Sequence, residues 1–179
     1  MKKSNSKALF VAQAGIIAAL YAVLTIVFAP ISYGEIQVRI SELLCVLPFF
    51  TPVAIPGLFI GCLIANLFSI SGMVWSDVVF GSLATLLGAI CAYLLGRLKS
   101  KHWIWLAPLP EVLFNTIAVP LVIKYGYGSV TGLFMIALFV FIGEVISCYV
   151  LGIPFAFAVR KLAPKIFRSR GKDEKENEK

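Results

Sequence analysis

Six stretches of this chain contain no Asp, Glu, Lys or Arg: 8–34, 43–76, 78–96, 112–123, 125–143 and 145–159. The longer ones reach or exceed the about 20 apolar residues that cross a hydrocarbon core roughly 30 Å thick. Hydrophobic residues make up 60% of the chain and charged residues 14%, where a soluble domain carries about a quarter charged residues. The fold class is all-α: a polytopic integral membrane protein with six transmembrane helices.

Proline and glycine set the expected helix ends. The first helix is expected over about 8–29, ending at Pro30. It is too long for the core of a signal peptide, and no clean small-residue cleavage site follows it, so it reads as a retained helix. The run 43–76 is too long for one helix and breaks at Thr51-Pro-Val-Ala-Ile-Pro-Gly57, giving a second helix over about 36–51 and a third over about 54–71. At about 1.5 Å rise per residue the second is short of a full span, which implies tilt, a partial re-entry, or charges drawn to the membrane edge. Short segments interrupted by Pro and Gly are where transporters place binding sites. The fourth, fifth and sixth helices are expected over about 76–97, 103–124 and 131–160. Residues 1–162 then form one six-helix transmembrane domain, and 163–179 a charged, disordered cytoplasmic tail.

The net charge of +7 lies at the ends of the runs. Lys2, Lys3 and Lys7 precede the first; Arg160, Lys161, Lys165, Arg168 and Arg170 follow the last; Arg97, Lys99 and Lys101 divide two of them. Such clusters orient helices and meet anionic lipid, which makes nucleic acid the weaker partner. Six helices put both termini and the 97–101 loop on one side, the cytoplasmic one. The outer loops are then 30–40, 70–77 and 124–130. Trp75, Tyr125 and Tyr127 would form an outer aromatic belt, with Trp103 and Trp105 the inner one.

Within this apolar background the polar residues stand out. An ionisable group at membrane depth costs roughly 2.5–3.5 kcal/mol on insertion scales, and such groups usually face a cavity or a partner. Arg39 and Glu42 are three apart and share a helical face, so they form either an interfacial ion pair or part of a lid over a solute. With Glu35, Gln37 and Ser41 they make the first outer loop the densest polar segment outside the termini. Asp77 either caps the fourth helix or belongs to a site. Asn66 lies in the outer half of the third helix, and Asn115 lies mid-helix with Glu111 one turn away on the same face. Glu144 is expected to face the interior, as a ligand group or as an internally bonded structural glutamate. This set offers several acceptors and one fixed cation, which suits a small, polar, hydrogen-bond-rich and cationic solute.

Small residues recur at spacing four: Ala14, Ala18 and Ala22; Gly57, Gly61 and Ala65; Ala84, Gly88, Ala92 and Gly96. Such stripes let helices approach closely in lipid. The last two read as packing within the bundle, the first as a contact for a separate membrane subunit. The four cysteines lie in separate runs and the single histidine, His102, lies in a loop, so neither disulfides nor a metal site is expected. No phosphate-cradling Gly-x-x-x-x-Gly-Lys-Ser/Thr motif and no Ser/His pairing is present, which argues against an enzyme and against a pump acting alone. No cofactor is implied.

Four segments carry a family resemblance: Gln37-Val-Arg-Ile-Ser-Glu42, Ile55-Pro-Gly-Leu-Phe-Ile-Gly-Cys-Leu-Ile-Ala-Asn66, Asp77-Val-Val-Phe-Gly-Ser-Leu-Ala-Thr85 and Gly143-Glu-Val-Ile-Ser-Cys-Tyr-Val-Leu-Gly152. In this order they resemble the QueT transporter family over about residues 8–162. The resemblance implies the substrate-binding (S) component of an energy-coupling factor (ECF) transporter for queuosine precursors, in the cell membrane. Its partners would be a transmembrane T component and two cytoplasmic ATPase subunits. It implies a helix-1 contact with the T component at Ala14 and Ala18. It also implies a solute site in the outer half, under the first outer loop, built from Arg39, Glu42, Asp77, Asn115 and Glu144, to which the residue reading adds Asn66. Glu111 has no counterpart in that pattern and stays outside the core site.

A 7-deazaguanine base offers N–H donors on its pyrimidine edge to a carboxylate, and the aminomethyl form and queuine add a protonated amine. Glu144 or Asp77 is expected on the base edge, an acid of the first outer loop near the amine, and Asn115 on the carbonyl or a ring nitrogen. Two other functions fit the residues: a stand-alone proton-coupled carrier relaying through Glu111 or Glu144, and a structural membrane subunit whose charges only pair internally.

Overall fold

The computed structural model describes residues 2–32, 37–69, 72, 74–98 and 101–166, with side chains from 7 to 161 except at 101 and 102. All secondary structure among these is helical. Helix α1 (Lys2–Val27) is followed by one further turn, Ala29–Ser32. A ten-residue 3-10 helix, α2 (Ile40–Phe49), leads through a turn into α3 (Ala54–Leu67). Helix α4 (Asp77–Gly96) opens with a π-helical turn, Asp77–Gly81. After a 3-10 segment, Lys101–Leu106, helix α5 runs over Leu109–Leu121 and widens into a π turn, Val122–Gly126. Helix α6 has three pieces: Leu133–Glu144, a π-helical Val145–Leu151, and Gly152–Ile166.

Four stretches are long and apolar enough to cross a membrane: Lys7–Val27, Asp77–Gly96, Trp103–Gly126 and Leu133–Lys161. Helices α2 and α3 are apolar but shorter, so the expected six helical segments are present among the described residues, four of them long enough to span. The expected second helix is also altered in kind. Pro48 lies within α2 and cannot donate to a helical ladder. The tighter 3-10 winding rises about 2.0 Å per residue, so the ten residues cover more depth than an α-helix would. A Pro likewise precedes the π turn of α5, at Pro120.

The surface and interior are reversed relative to a protein in water. Val11, Ile16, Val23, Leu87, Leu94, Ile117, Phe134, Phe141 and Val150 are exposed, while Arg39, Glu42, Asn66, Asp77, Glu111, Asn115 and Glu144 are buried. An apolar exterior around a polar interior is what a lipid solvent selects.

Close packing of α1 on α3 rests on glycine. A Cβ on Gly61 would lie 2.7 Å from the Cβ of Tyr21 and 2.8 Å from the carbonyl of Ala18, and one on Gly57 would lie 2.8 Å from the Cβ of Ile17. Ala14, Ile17, Tyr21, Leu58, Cys62 and Ala65 form one core with Leu44 and Leu47 of α2. On the other side of α2, Cys45 and Val46 pack with Val112, Cys148 and Ala156. The short helix α2 is therefore enclosed on both sides.

This packing corrects the expectation for helix 1. Ala14 and Ala18 are buried, at 8% and 5% exposure, because α3 of the same chain covers their face. The small residues left open on α1 are Ala8, Ala12, Gly15 and Ala19, and a Cβ on Gly15 would meet nothing within 4 Å. Among the expected aromatic anchors, Trp75, Tyr125 and Trp105 are exposed, whereas Tyr127 turns inward. The expectations for Glu35, His102 and the tail from residue 167 fall outside the described side chains.

Candidate functional site

Two groups of buried polar side chains lie along the interior. The first joins α3, α4 and the segment after α5. Asp77 sits on the π turn that opens α4, and Asn66 of α3 donates its Nδ2 to the Asp77 carbonyl at 3.2 Å. Gly81 makes this approach possible, since a Cβ there would lie 3.0 Å from both Asn66 Nδ2 and Asp77 Oδ1. The Tyr127 hydroxyl donates to Asp77 Oδ2 at 3.0 Å. Partial burial and the adjacent Asp77 carboxylate push the Tyr127 phenol up to about 12, so it remains a donor at neutral pH. The backbone of Gly126 also closes on Ser76, leaving no room for a Cβ. Asp77 thus binds a side chain from the third outer loop.

Arg39 immediately precedes α2, in an extended conformation. It is buried, and the charges of Asp77 and Glu42 both favour its protonated form.

The second group lies on α1, α2, α5 and α6. The Tyr21 hydroxyl donates to Glu42 Oε1. Beside it, the Thr25 and Ser41 hydroxyls are 2.7 Å apart, and Thr25 Oγ1 donates back to the Tyr21 carbonyl at 2.9 Å. From α5, Asn115 Nδ2 donates to Glu144 Oε1 at 3.0 Å and to Glu111 Oε1 at 3.4 Å. Cys148, one turn beyond Glu144, approaches Glu144 Oε2 at 3.5 Å. Asn115 therefore ties Glu111 and Glu144 together, and Cys148 brings Glu144 toward Glu42.

Backbone clearance again sets the geometry. The Gln37 carbonyl rests on Gly143, where a Cβ would overlap it. That contact draws the segment before α2 down beside Glu144. Gly88 similarly accommodates the Glu111 carboxylate, whose Oε2 would overlap a Cβ there.

The structure brings Glu42, Asn115 and Glu144 into one cluster and Asn66 and Asp77 into another, with Arg39 buried in the same interior. Glu111, set aside on sequence grounds, belongs to the first of these through Asn115. Tyr21 and Thr25 were missed, since nothing distinguishes a tyrosine or threonine in an apolar run until its hydroxyl is seen to meet a polar partner; Ser41, counted in the polar loop but not in the site, joins them through Thr25. Cys148 was read as a small apolar residue and lies against two glutamates.

The chemistry of the interior is acceptor-rich. Its buried ionisable groups include four carboxyls, at Glu42, Asp77, Glu111 and Glu144, and the Arg39 guanidinium. Among the described residues, Glu42 Oε2, Glu111 Oε2 and Asn66 Oδ1 find no hydrogen-bond donor, and the hydroxyls of Ser82 and Ser147 find no partner. An unmet buried acceptor costs about 1–3 kcal/mol, more when charged. Oxygen atoms of Glu42 and Glu144 and the Cys148 sulfur lie within 4.8 Å of one another, close enough to surround a single cationic centre.

The sequence matches the QueT transporter family over residues 11–161. It is similar to the queuosine precursor transporter QueT of Lactococcus lactis subsp. cremoris, at 37% identity over 116 residues. That stretch covers 64% of this chain and 66% of the relative, just under two thirds of the relative's length. No solved structure matches. The helical bundle with its apolar exterior and buried polar interior is that of a multi-pass membrane protein, and with the family match extending from α1 to the end of α6, the chain belongs to the QueT transporter family.

Proposed function

We propose that this chain is the solute-capturing S component of an ATP-driven ECF importer of queuosine precursors. The observation that carries the reading is the buried interior rich in unmet acceptors, in a chain of the QueT family. A 7-deazaguanine is donor-rich on its pyrimidine edge, which suits a carboxylate held by neighbouring side chains. Asp77, fixed by Tyr127, is the acceptor for that edge, with Arg39 and Asn115 available to the carbonyl and ring nitrogens. Asn66 supports Asp77 from α3. Energy comes from elsewhere: a T component and two ATPase subunits complete the transporter. The open face of α1, with Ala12, Gly15 and Ala19, is the contact for the T component, in place of Ala14 and Ala18.

Both termini are cytoplasmic and the site opens toward the outside of the plasma membrane. Lys7, Arg97, Arg160 and Lys161 are exposed at helix ends that alternation of the chain assigns to one side. Equilibrium binding by calorimetry, with the purified chain and a panel of 7-deazaguanines, tests the reading. Guanine, riboflavin and folate serve as controls. One-to-one binding of a 7-deazaguanine with the controls silent is expected. A folded chain that binds none of the panel, or binds riboflavin or folate instead, sinks it.

A further inference from the structure

We propose that the site selects amine-bearing, cationic 7-deazaguanines over neutral ones such as the nitrile, and that Glu42 and Glu144 together receive the ammonium. This rests on the reading of the interior as the solute site.

The first argument is geometric. Two acceptors that each lie about 2.8 Å from one tetrahedral nitrogen are about 4.6 Å apart. The ligand atoms of Glu42, Glu144 and Cys148 lie within 4.8 Å of one another. A single ammonium placed among them reaches both carboxylates at normal hydrogen-bond length through two of its N–H bonds, with its N–C bond left to join the base. Glu42 is suited to this by its other contacts. Tyr21 holds its Oε1 from behind, and among the described residues its Oε2 accepts nothing although the residue is fully buried.

The second argument is charge. The cluster contains Glu42, Glu111 and Glu144, and with Asp77 the described residues bury four carboxyls beside one guanidinium, Arg39. Lys124 is turned away to the carbonyls of Ser129 and Thr131, at 2.9 and 3.0 Å. A cationic solute supplies charge that these carboxyls otherwise lack, whereas a neutral nitrile leaves the imbalance in place. A nitrile also offers only an acceptor to a cluster that is itself made of acceptors. A zinc ion could occupy the same position, but Glu42 and Glu144 already accept from Tyr21, Asn115 and Cys148. An organic ammonium uses those oxygens without displacing their donors.

The test measures dissociation constants of the full chain in lipid nanodiscs for the aminomethyl base, its N-acetyl derivative and the nitrile. It also uses Glu42→Gln, Glu144→Gln and Cys148→Ser variants and zinc as a competitor. The aminomethyl base is expected to bind about 10- to 100-fold tighter than the two neutral compounds, as befits buried charge-assisted hydrogen bonds. In Glu42→Gln that advantage is expected to collapse while nitrile binding changes little. Should Glu42→Gln fail to fold, Glu144→Gln must show the same collapse. Equal affinities for the amine and the neutral compounds overturn the selectivity and leave the proposed solute class standing. Binding of none of the three overturns both. Zinc that displaces the aminomethyl base, with the effect lost in Cys148→Ser, overturns the ammonium assignment in favour of a metal site.

Discussion

Glu144 shows how one residue type acquires its role from what surrounds it. Placed on lipid it would be an expensive defect; here both its oxygens have neighbours, Asn115 on one and Cys148 on the other. Its acceptors are thereby fixed in direction before any solute arrives, which is how a site limits the ordering cost of binding. Glu144→Gln keeps the shape and removes the charge. The loss of a charge-assisted bond, about 1.5–3 kcal/mol, predicts roughly 10- to 100-fold weaker binding of an amine-bearing solute. Wild-type affinity in calorimetry would sink the role given to Glu144. Tyr127 makes a separate prediction about pH. Its phenol is raised from 10.0 to about 12 by burial and by Asp77. A group raised on folding contributes fully below its unfolded value, and the contribution fades as pH climbs through the folded one. The Tyr127–Asp77 contact should therefore hold up to pH 10 and weaken between 10 and about 12. Tyrosinate absorbance of the wild type minus that of Tyr127→Phe would reveal it; a step below pH 10 contradicts the buried contact.

At the level of elements, the π-helical turns coincide with the polar positions. One begins at Asp77 and another directly follows Glu144, carrying Ser147 and Cys148. A π turn shifts side chains around the helix axis and is common at functional sites. Glu144 and Cys148, four apart at its start, face the same point. The α1–α3 contact depends instead on missing side chains. Gly61→Ala would force a Cβ to within 2.7 Å of Tyr21 and 2.8 Å of the Ala18 carbonyl, and overpacking of that kind costs roughly 1–3 kcal/mol. A lower thermal midpoint is expected for the purified variant. Because Tyr21 also holds Glu42, solute affinity should fall with it. Gly15→Ala, on the open face of α1, should leave the midpoint of the lone chain unchanged while weakening assembly with the T component in co-purification. If the two variants behave alike, the division of α1 into an inner and an outer face is mistaken.

For the whole molecule, the notable property is a bundle whose interior is more polar than its surface. Lipid offers no hydrophobic reward for burying leucine, so close packing of small residues and satisfied polar contacts hold the helices together. Nothing in the chain's motifs hydrolyses ATP. Uptake of labelled precursor into cells or proteoliposomes should therefore require co-expressed T and ATPase subunits and intact ATP hydrolysis. Uptake by the lone chain driven by a pH gradient would instead favour the proton-coupled carrier, with Glu111 or Glu144 as its relay.

Much of this was legible in the sequence. Uncharged runs, Pro and Gly breaks and terminal basic clusters determine an all-helical membrane bundle, because the cost of a charge in hydrocarbon acts on composition directly. The same cost singled out Arg39, Glu42, Asp77, Glu111 and Glu144, since each must be hidden from lipid wherever the helices go. Pairing was decided only in three dimensions. The sequence offered Arg39 and Glu42 as partners three apart, while the fold set Tyr21 against Glu42 and Tyr127 against Asp77. It offered Ala14 and Ala18 to another subunit, while α3 took that face. Spacing along one helix tells which residues share a face; which neighbour fills that face depends on how the other helices pack, and that information is spread over contacts tens of residues apart.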